Sequence, residues 1–205
     1  MKSIWTALAI SMMTTMAHAA ETSAPESYLG NADQGKTKSA TCAACHGVDG
    51  NSPIADYPKI AGQHATYLVS TLKAYRDGSR ANAIMQGMSA ALTDNDIADL
   101  AAYYSGLAIS PGAADPELVD RGEALYRFGD SEKGISSCAG CHGPAGYGVA
   151  SAGFPALNGQ WAGYNVQQLQ AFREGTRVNT MMNGVAKNMS DADMKAVSSY
   201  IEGLR

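Results

Sequence analysis

The 205-residue chain has no cysteine outside two short motifs, only four histidines, and few aromatic residues: three Phe and two Trp stand beside ten Tyr. Basic residues are not in excess, since 15 Lys and Arg face 19 Asp and Glu for a formal net charge of −4. No apolar run approaches the roughly 20 residues that a bilayer span requires. No long alternating apolar–polar stretch marks a half-buried strand. Each shortage narrows the reading. Without a basic patch the chain has no footprint for nucleic acid. Without a long apolar run it has no spanning helix. With so few histidines, a site needing several imidazole ligands cannot be assembled.

What is present is concentrated. The pentapeptide Cys-x-x-Cys-His occurs twice, as Cys42-Ala43-Ala44-Cys45-His46 and Cys138-Ala139-Gly140-Cys141-His142, and uses every cysteine. The motif reads as a c-type haem attachment site. Each thiol can add across a haem vinyl group to form a thioether, and the histidine that follows can ligate the iron. A thioredoxin-like pair would not need His in the next position, twice. A zinc site joining the two pairs would have to bridge nearly half the chain. Disulfides across two intervening residues are strained. Two covalent haem c groups are therefore expected, attached at Cys42, Cys45, Cys138 and Cys141, with His46 and His142 on the irons.

The N-terminus carries an export signal. Lys2 precedes an apolar stretch from Ile4 to Met16, and Ala17-His18-Ala19 forms an A-x-A cleavage site. Cleavage is expected after Ala19 or, second, after Ala20, which makes the mature protein periplasmic. Residues 1–19 are then a signal peptide, 20–110 a first domain and 111–205 a second.

The two domains are copies. The Cys-x-x-Cys-His-Gly runs superpose at an offset of 96, and from there to the end the offset is 97. Pro58 to Gln63 faces Pro155 to Gln160, Tyr67 faces Tyr164, Arg80 faces Arg177, Asn82 faces Asn179 and Met85 faces Met182. A repeat of this length is a duplicated domain. The pattern is helical. A middle helix is expected over Ala65 to Asp77 and over Ala162 to Glu174. A last helix is expected after Thr93 and after Ser190, each a hydroxyl N-cap followed by acidic first-turn residues, with Gly106 and Gly203 as stops. Pro111-Gly112 and Asp115-Pro116 mark the boundary between Leu107 and Val119. The second copy has an insertion before its motif, in which Gly129 to Gly134 reads as a surface loop. Domains of this size bury a small core, which a largely apolar haem would complete.

A c-type haem with His on one face often takes Met on the other. Of the methionines beyond the signal, Met88 faces Val185, Met181 faces Ile84 and Met189 faces Leu92; only Met85 and Met182 face each other. Equal ligation in both copies selects those two and leaves Met88, Met181 and Met189 to ordinary packing. His64, opposite Trp161, reads as a solvated surface histidine.

Together these residues resemble the dihaem cytochrome c4 family over nearly the whole mature chain. The resemblance rests on both Cys-x-x-Cys-His motifs, both Pro-x-x-x-Gly-Gln segments, both Arg-[Asp/Glu]-Gly segments and both Met-x-Gly segments before a capped final helix. It implies an all-α protein of two tandem class I cytochrome c domains related by pseudo-twofold symmetry, with haem propionates near their interface. It implies axial pairs His46/Met85 and His142/Met182, and Pro58 and Pro155 carbonyls that accept the N–H of the ligating histidines. The function implied is electron transfer rather than catalysis, with redox proteins as donor and acceptor: a quinol-oxidising complex on one side and a terminal oxidase on the other. Peripheral membrane association stays open. Two rivals remain: the dihaem subunit of a flavoprotein dehydrogenase such as flavocytochrome c sulfide dehydrogenase, and an enzyme of the dihaem peroxidase or thiosulfate dehydrogenase kind, which would need an open or labile iron.

Overall fold

A computed structural model describes residues 29–205; the expected signal peptide and its cleavage site lie outside them. The elements follow in two parallel series. The first is α1 (Ala32–Lys38), α2 (Ala40–His46), α3 (Ala65–Arg76), α4 (Ala83–Ser89) and α5 (Asp94–Ser105). The second is α6 (Val119–Phe128), α7 (Ala139–His142), a single 3-10 turn (Ala150–Ala152), α8 (Ala162–Glu174), α9 (Thr180–Ala186) and α10 (Asp191–Gly203). The only β pairing among the described residues is two isolated bridges, Asp130 with Ile135 and Val149 with Phe154. The first of these closes the inserted loop of the second copy. No helix among the described residues is long and apolar enough to cross a membrane.

In each copy the first helix crosses the last, and the middle helix packs on the last from another side: α1 and α3 on α5, α6 and α8 on α10. The crossing depends on glycine. A Cβ on Gly35 would overlap the Asp99 carbonyl and lie 2.8 Å from Tyr103 Cβ. A Cβ on its equivalent Gly122 would overlap the Ala196 carbonyl and lie 2.7 Å from Tyr200 Cβ. The helix backbones therefore touch, as they can only where one of them lacks a side chain.

The final helices begin as their sequences require. Thr93 and Ser190 each cap an N3 aspartate, Asp96 and Asp193, in a full capping box. The stops fall at the expected glycines, but without the left-handed turn that often closes a helix. Neither Gly106 nor Gly203 takes the left-handed conformation of a glycine cap: Gly106 has φ −83°, and Gly203 is the last residue within α10. Gly203 is small because Ala114 of the interdomain segment lies against it, its backbone nitrogen 2.7 Å from where a Cβ would stand.

The two cores are unequal. The C-terminal domain buries Leu125, Tyr126, Ile135, Phe172, Met189, Met194, Val197, Tyr200, Ile201 and Leu204 in one cluster. The N-terminal cluster has four buried members, Leu68, Leu100, Ala101 and Tyr104. Ile135 comes from the end of the inserted loop, so the insertion adds to the larger core.

Candidate haem centres

The first motif lies on α2 and the second on the single turn α7, with Cys138 as its N-cap residue. Residues three apart on a helix share a face, so each cysteine pair presents its two thiols to one side. Cys42 packs against the N-terminal core and Cys138 against the C-terminal core, and all four thiols are free. Burial raises the pKa of Cys42 and pushes that of Cys138 up to about 11. A thiolate, which zinc binding or nucleophilic chemistry requires, is disfavoured there.

His46 and His142 are both buried, at 7 % exposure. His46 Nδ1 stands 2.8 Å from the Pro58 carbonyl, and His142 Nδ1 stands 2.8 Å from the Pro155 carbonyl. A carbonyl can only accept, so Nδ1 carries the proton and Nε2 keeps its lone pair. Burial lowers the pKa of both rings, against the opposing pull of the proline carbonyls. The result is a neutral, oriented imidazole with one free nitrogen, the form in which histidine binds a metal.

Met85 and Met182 occupy equivalent places on α4 and α9. Each donates its backbone N–H to an N-cap asparagine, Asn82 at 2.9 Å and Asn179 at 3.0 Å. Both side chains are half-buried, and Met182 packs against the cluster that Cys138 and Ala139 also touch. The other methionines separate by burial. Met189 is a core residue at 4 % exposure, as ordinary packing requires, whereas Met88 and Met181 are 43 % and 58 % exposed and do not pack as expected. His64 also departs from its reading as a solvated histidine. It is half-buried, and its Nε2 is enclosed without a hydrogen-bond partner.

The domains meet through reciprocal contacts, as a twofold-related pair must. Gln63 holds Ala156 of the second domain, accepting from its N–H at 3.0 Å and donating to its carbonyl at 2.9 Å. Gln160 holds Lys59 of the first in the same way, at 3.0 and 2.8 Å. Arg80 donates to Tyr164, and Arg177 donates to Tyr67, across the junction at 3.0 and 2.8 Å. Each guanidinium also stacks on an aromatic ring of its own domain, Tyr75 or Phe172. Neither forms an ion pair with a carboxylate among the described residues. Lys59 breaks the symmetry: its buried ammonium bonds to the Ser110 and Gly159 carbonyls and lies 3.9 Å from the Trp161 ring centre. The matched Gln and Arg positions are visible in the repeat, but their partners across the junction are not.

These features fit a haem at each motif. The paired thiols suit two thioether bonds, the free Nε2 suits the iron, and the two arginines without carboxylates suit anionic propionates.

The cytochrome c family model matches residues 32–108 and 119–205. Cytochrome c4 of Pseudomonas aeruginosa is 46% identical over 196 residues, covering 94% of this chain and 93% of that one. The crystal structure of a reduced recombinant cytochrome c4 from Pseudomonas stutzeri superposes with a TM-score of 0.83 at 46% identity, over 86% of this chain and 100% of that one. A thiosulfate dehydrogenase electron acceptor of Thiomonas intermedia is 41% identical over 175 residues, 80% of this chain and 78% of its own.

Proposed function

The chain belongs to the cytochrome c4 family, and from that premise we propose that it is a periplasmic electron carrier serving a respiratory chain, and not an enzyme. The family carries two covalently bound haem c groups, and these supply one-electron Fe(II)/Fe(III) couples. In the proposed site Cys42 and Cys45 hold haem 1 with His46 and Met85 as axial ligands. Cys138 and Cys141 hold haem 2 with His142 and Met182. The mature chain starts near Ala20, and its domains meet near residue 110. Arg80 and Arg177 supply counter-charge for the propionates.

The observation that carries this reading is the doubled ligand geometry. Both axial histidines have Nδ1 fixed by a proline carbonyl at 2.8 Å, and both matched methionines sit at the same turn of equivalent helices. The same His and Met pair at each motif would leave neither iron a coordination site for a substrate. His/Met ligation favours the ferrous state and a high potential, which suits transfer from a quinol-oxidising complex to a terminal oxidase. Pro58 and Pro155 hold the imidazoles in one orientation, so little rearrangement accompanies a change of redox state.

A second reading concerns the donor. Similarity to a protein named as an electron acceptor of thiosulfate dehydrogenase supports a thiosulfate-oxidising enzyme as an alternative source of electrons. Peripheral membrane association and a flavoprotein partner remain further proposals about docking. The test is stopped-flow mixing of the oxidised dihaem protein with a quinol-oxidising complex and with a thiosulfate dehydrogenase, followed by turnover with a terminal oxidase. Rapid reduction by the first and rapid oxidation by the oxidase are expected. Reduction by the dehydrogenase alone would favour the second reading, and binding of cyanide or peroxide by the native protein at either iron would overturn the carrier assignment.

A further inference from the structure

The peptide unit that accepts the proton of each axial histidine is itself held by the other domain. The Pro58 carbonyl, which accepts from His46 Nδ1, belongs to the same peptide plane as the Lys59 N–H. That N–H donates to Gln160 Oε1 of the second domain at 3.0 Å. The arrangement is repeated in reverse. The Pro155 carbonyl accepts from His142 Nδ1, and the Ala156 N–H of the same peptide donates to Gln63 Oε1 of the first domain at 3.0 Å.

We propose that Gln160 and Gln63 are crossed positioning residues, each tuning the haem of the opposite domain through the peptide that holds its axial histidine. The proposal rests on the assignment of His46 and His142 as iron ligands. An amide that donates through its N–H becomes a better acceptor at its carbonyl, by on the order of 10–30% per bond in a hydrogen-bonded chain. A stronger acceptor draws the Nδ1 proton, makes Nε2 more basic and so favours ferric iron. Each glutamine thereby lowers the potential of the haem across the junction.

The clamp is well made for this purpose. Each glutamine makes a two-point contact, because its Nε2 also donates to the carbonyl of the residue it holds, Lys59 at 2.8 Å or Ala156 at 2.9 Å. Each Oε1 also accepts the N–H of the residue after the glutamine, Trp161 or His64, at 3.0 Å. That local bond fixes the side-chain rotamer, so the acceptor is already aimed at its partner. Lys59 and Gln160 are buried, so water does not readily substitute. A slight movement of one domain against the other would lengthen these bonds and shift both potentials.

The test uses the mature dihaem protein with Gln160→Leu and with Gln63→Leu, each haem followed by its own methyl resonances during a redox titration. Gln160→Leu is expected to raise the potential of haem 1 more than that of haem 2, and Gln63→Leu is expected to do the reverse. Equal shifts of both haems in both variants would show only a loosened junction and would overturn the crossed assignment. Shifts confined to the variant's own domain, or no shift, would overturn the proposal. If neither variant folds, amide exchange in the native protein decides. Slow exchange of the Lys59 and Ala156 N–H is expected, and rapid exchange of either would overturn the clamp. A native spectrum without low-spin His/Met signals would strike at the ligand assignment instead, and is read before any variant is made.

Discussion

Arg80 and Arg177 come from different domains and donate to the same atom, Gln168 Oε1, at 2.9 and 2.7 Å. Two cations converge on one neutral oxygen with no carboxylate in an ion pair with either among the described residues. Together they outweigh burial and hold the Tyr67 hydroxyl below the usual phenol range. The junction is therefore positively biased, and Gln168, which faces Thr71 in the repeat, is a point at which the two copies are not equivalent.

With the proposed haems in place, that bias would make Arg80 a counter-ion to a propionate. Arg80 is 9 % exposed, and removing one member of a buried charge pair leaves the other unpaired. Arg80→Met is expected to cost the dihaem protein about 2–4 kcal/mol in equilibrium denaturation and, if the guanidinium balances the proposed propionates, to lower both potentials through loss of a positive charge. An unchanged denaturation midpoint would show that the guanidinium has no anionic partner.

Acid should loosen the second domain through Asp193. This carboxylate is 3 % exposed. Burial alone would raise its pKa, but Lys133 and Arg121, at 2.7 Å each, and the Ser190 cap hold it well below the usual carboxylate range. A depressed folded-state pKa gives stability that is present above the unfolded value near 4 and is lost as pH falls toward the folded value. Asp193→Asn is expected to cost about 2–3 kcal/mol at neutral pH, discounted because Arg121 and Lys133 are partly solvated. It should also flatten the acid limb of the stability profile below about pH 5. An equally steep limb in the variant would assign acid sensitivity to other groups.

The helix crossings give a steric prediction. Gly122→Ala places a methyl group into the Ala196 carbonyl and against Tyr200 Cβ, and neither backbone can yield without moving α6 off α10. Overpacking of this kind costs about 1–3 kcal/mol, which chemical denaturation would read as a lower midpoint. Gly184→Ala, on α9 with nothing within 4 Å of the added carbon, is the control and should be neutral or mildly stabilising.

Much of this was legible in sequence because local chemistry dictated it. Thr93 and Ser190 cap their helices, as a hydroxyl before two acidic residues suggests, and the middle helices run Ala65–Arg76 and Ala162–Glu174, within a residue of the spans read from periodicity. The tie between His46 and Pro58 followed from the family resemblance. The glycine stops also lie where the pattern puts them, Gly106 just after α5 and Gly203 at the end of α10. His64 differs from its reading as a solvated residue, since its polar neighbours in sequence do not reveal that its Nε2 is enclosed. The glutamine clamps were visible as repeated residues, but not as contacts. They grip backbone atoms of Lys59 and Ala156, so the side chains at those positions carry no signal of the contact. An internal repeat shows which positions correspond and is silent on which ones touch.

The methionines offer the sharpest separation of proposed ligands from their neighbours. Met85 and Met182 are half-buried and equivalent on α4 and α9, while Met88 and Met181 on the same helices are exposed. Met85→Ala is expected to abolish the Met–Fe(III) charge-transfer band of haem 1, open that iron to exogenous ligands and lower its potential, because a thioether favours ferrous iron more than water does. Met182→Ala should do the same at haem 2 and leave haem 1 unchanged. Met88→Leu and Met181→Leu alter exposed side chains, so both bands should survive and stability should stay within about 0.5 kcal/mol of the native protein. Met189→Ala separates packing from ligation. It empties a position in the C-terminal core at 4 % exposure and should cost about 2–5 kcal/mol with the charge-transfer band of haem 2 intact under native conditions. Loss of that band in Met189→Ala, with its retention in Met182→Ala, would move the ligand of haem 2 to Met189 and end the assumption that the two copies ligate alike.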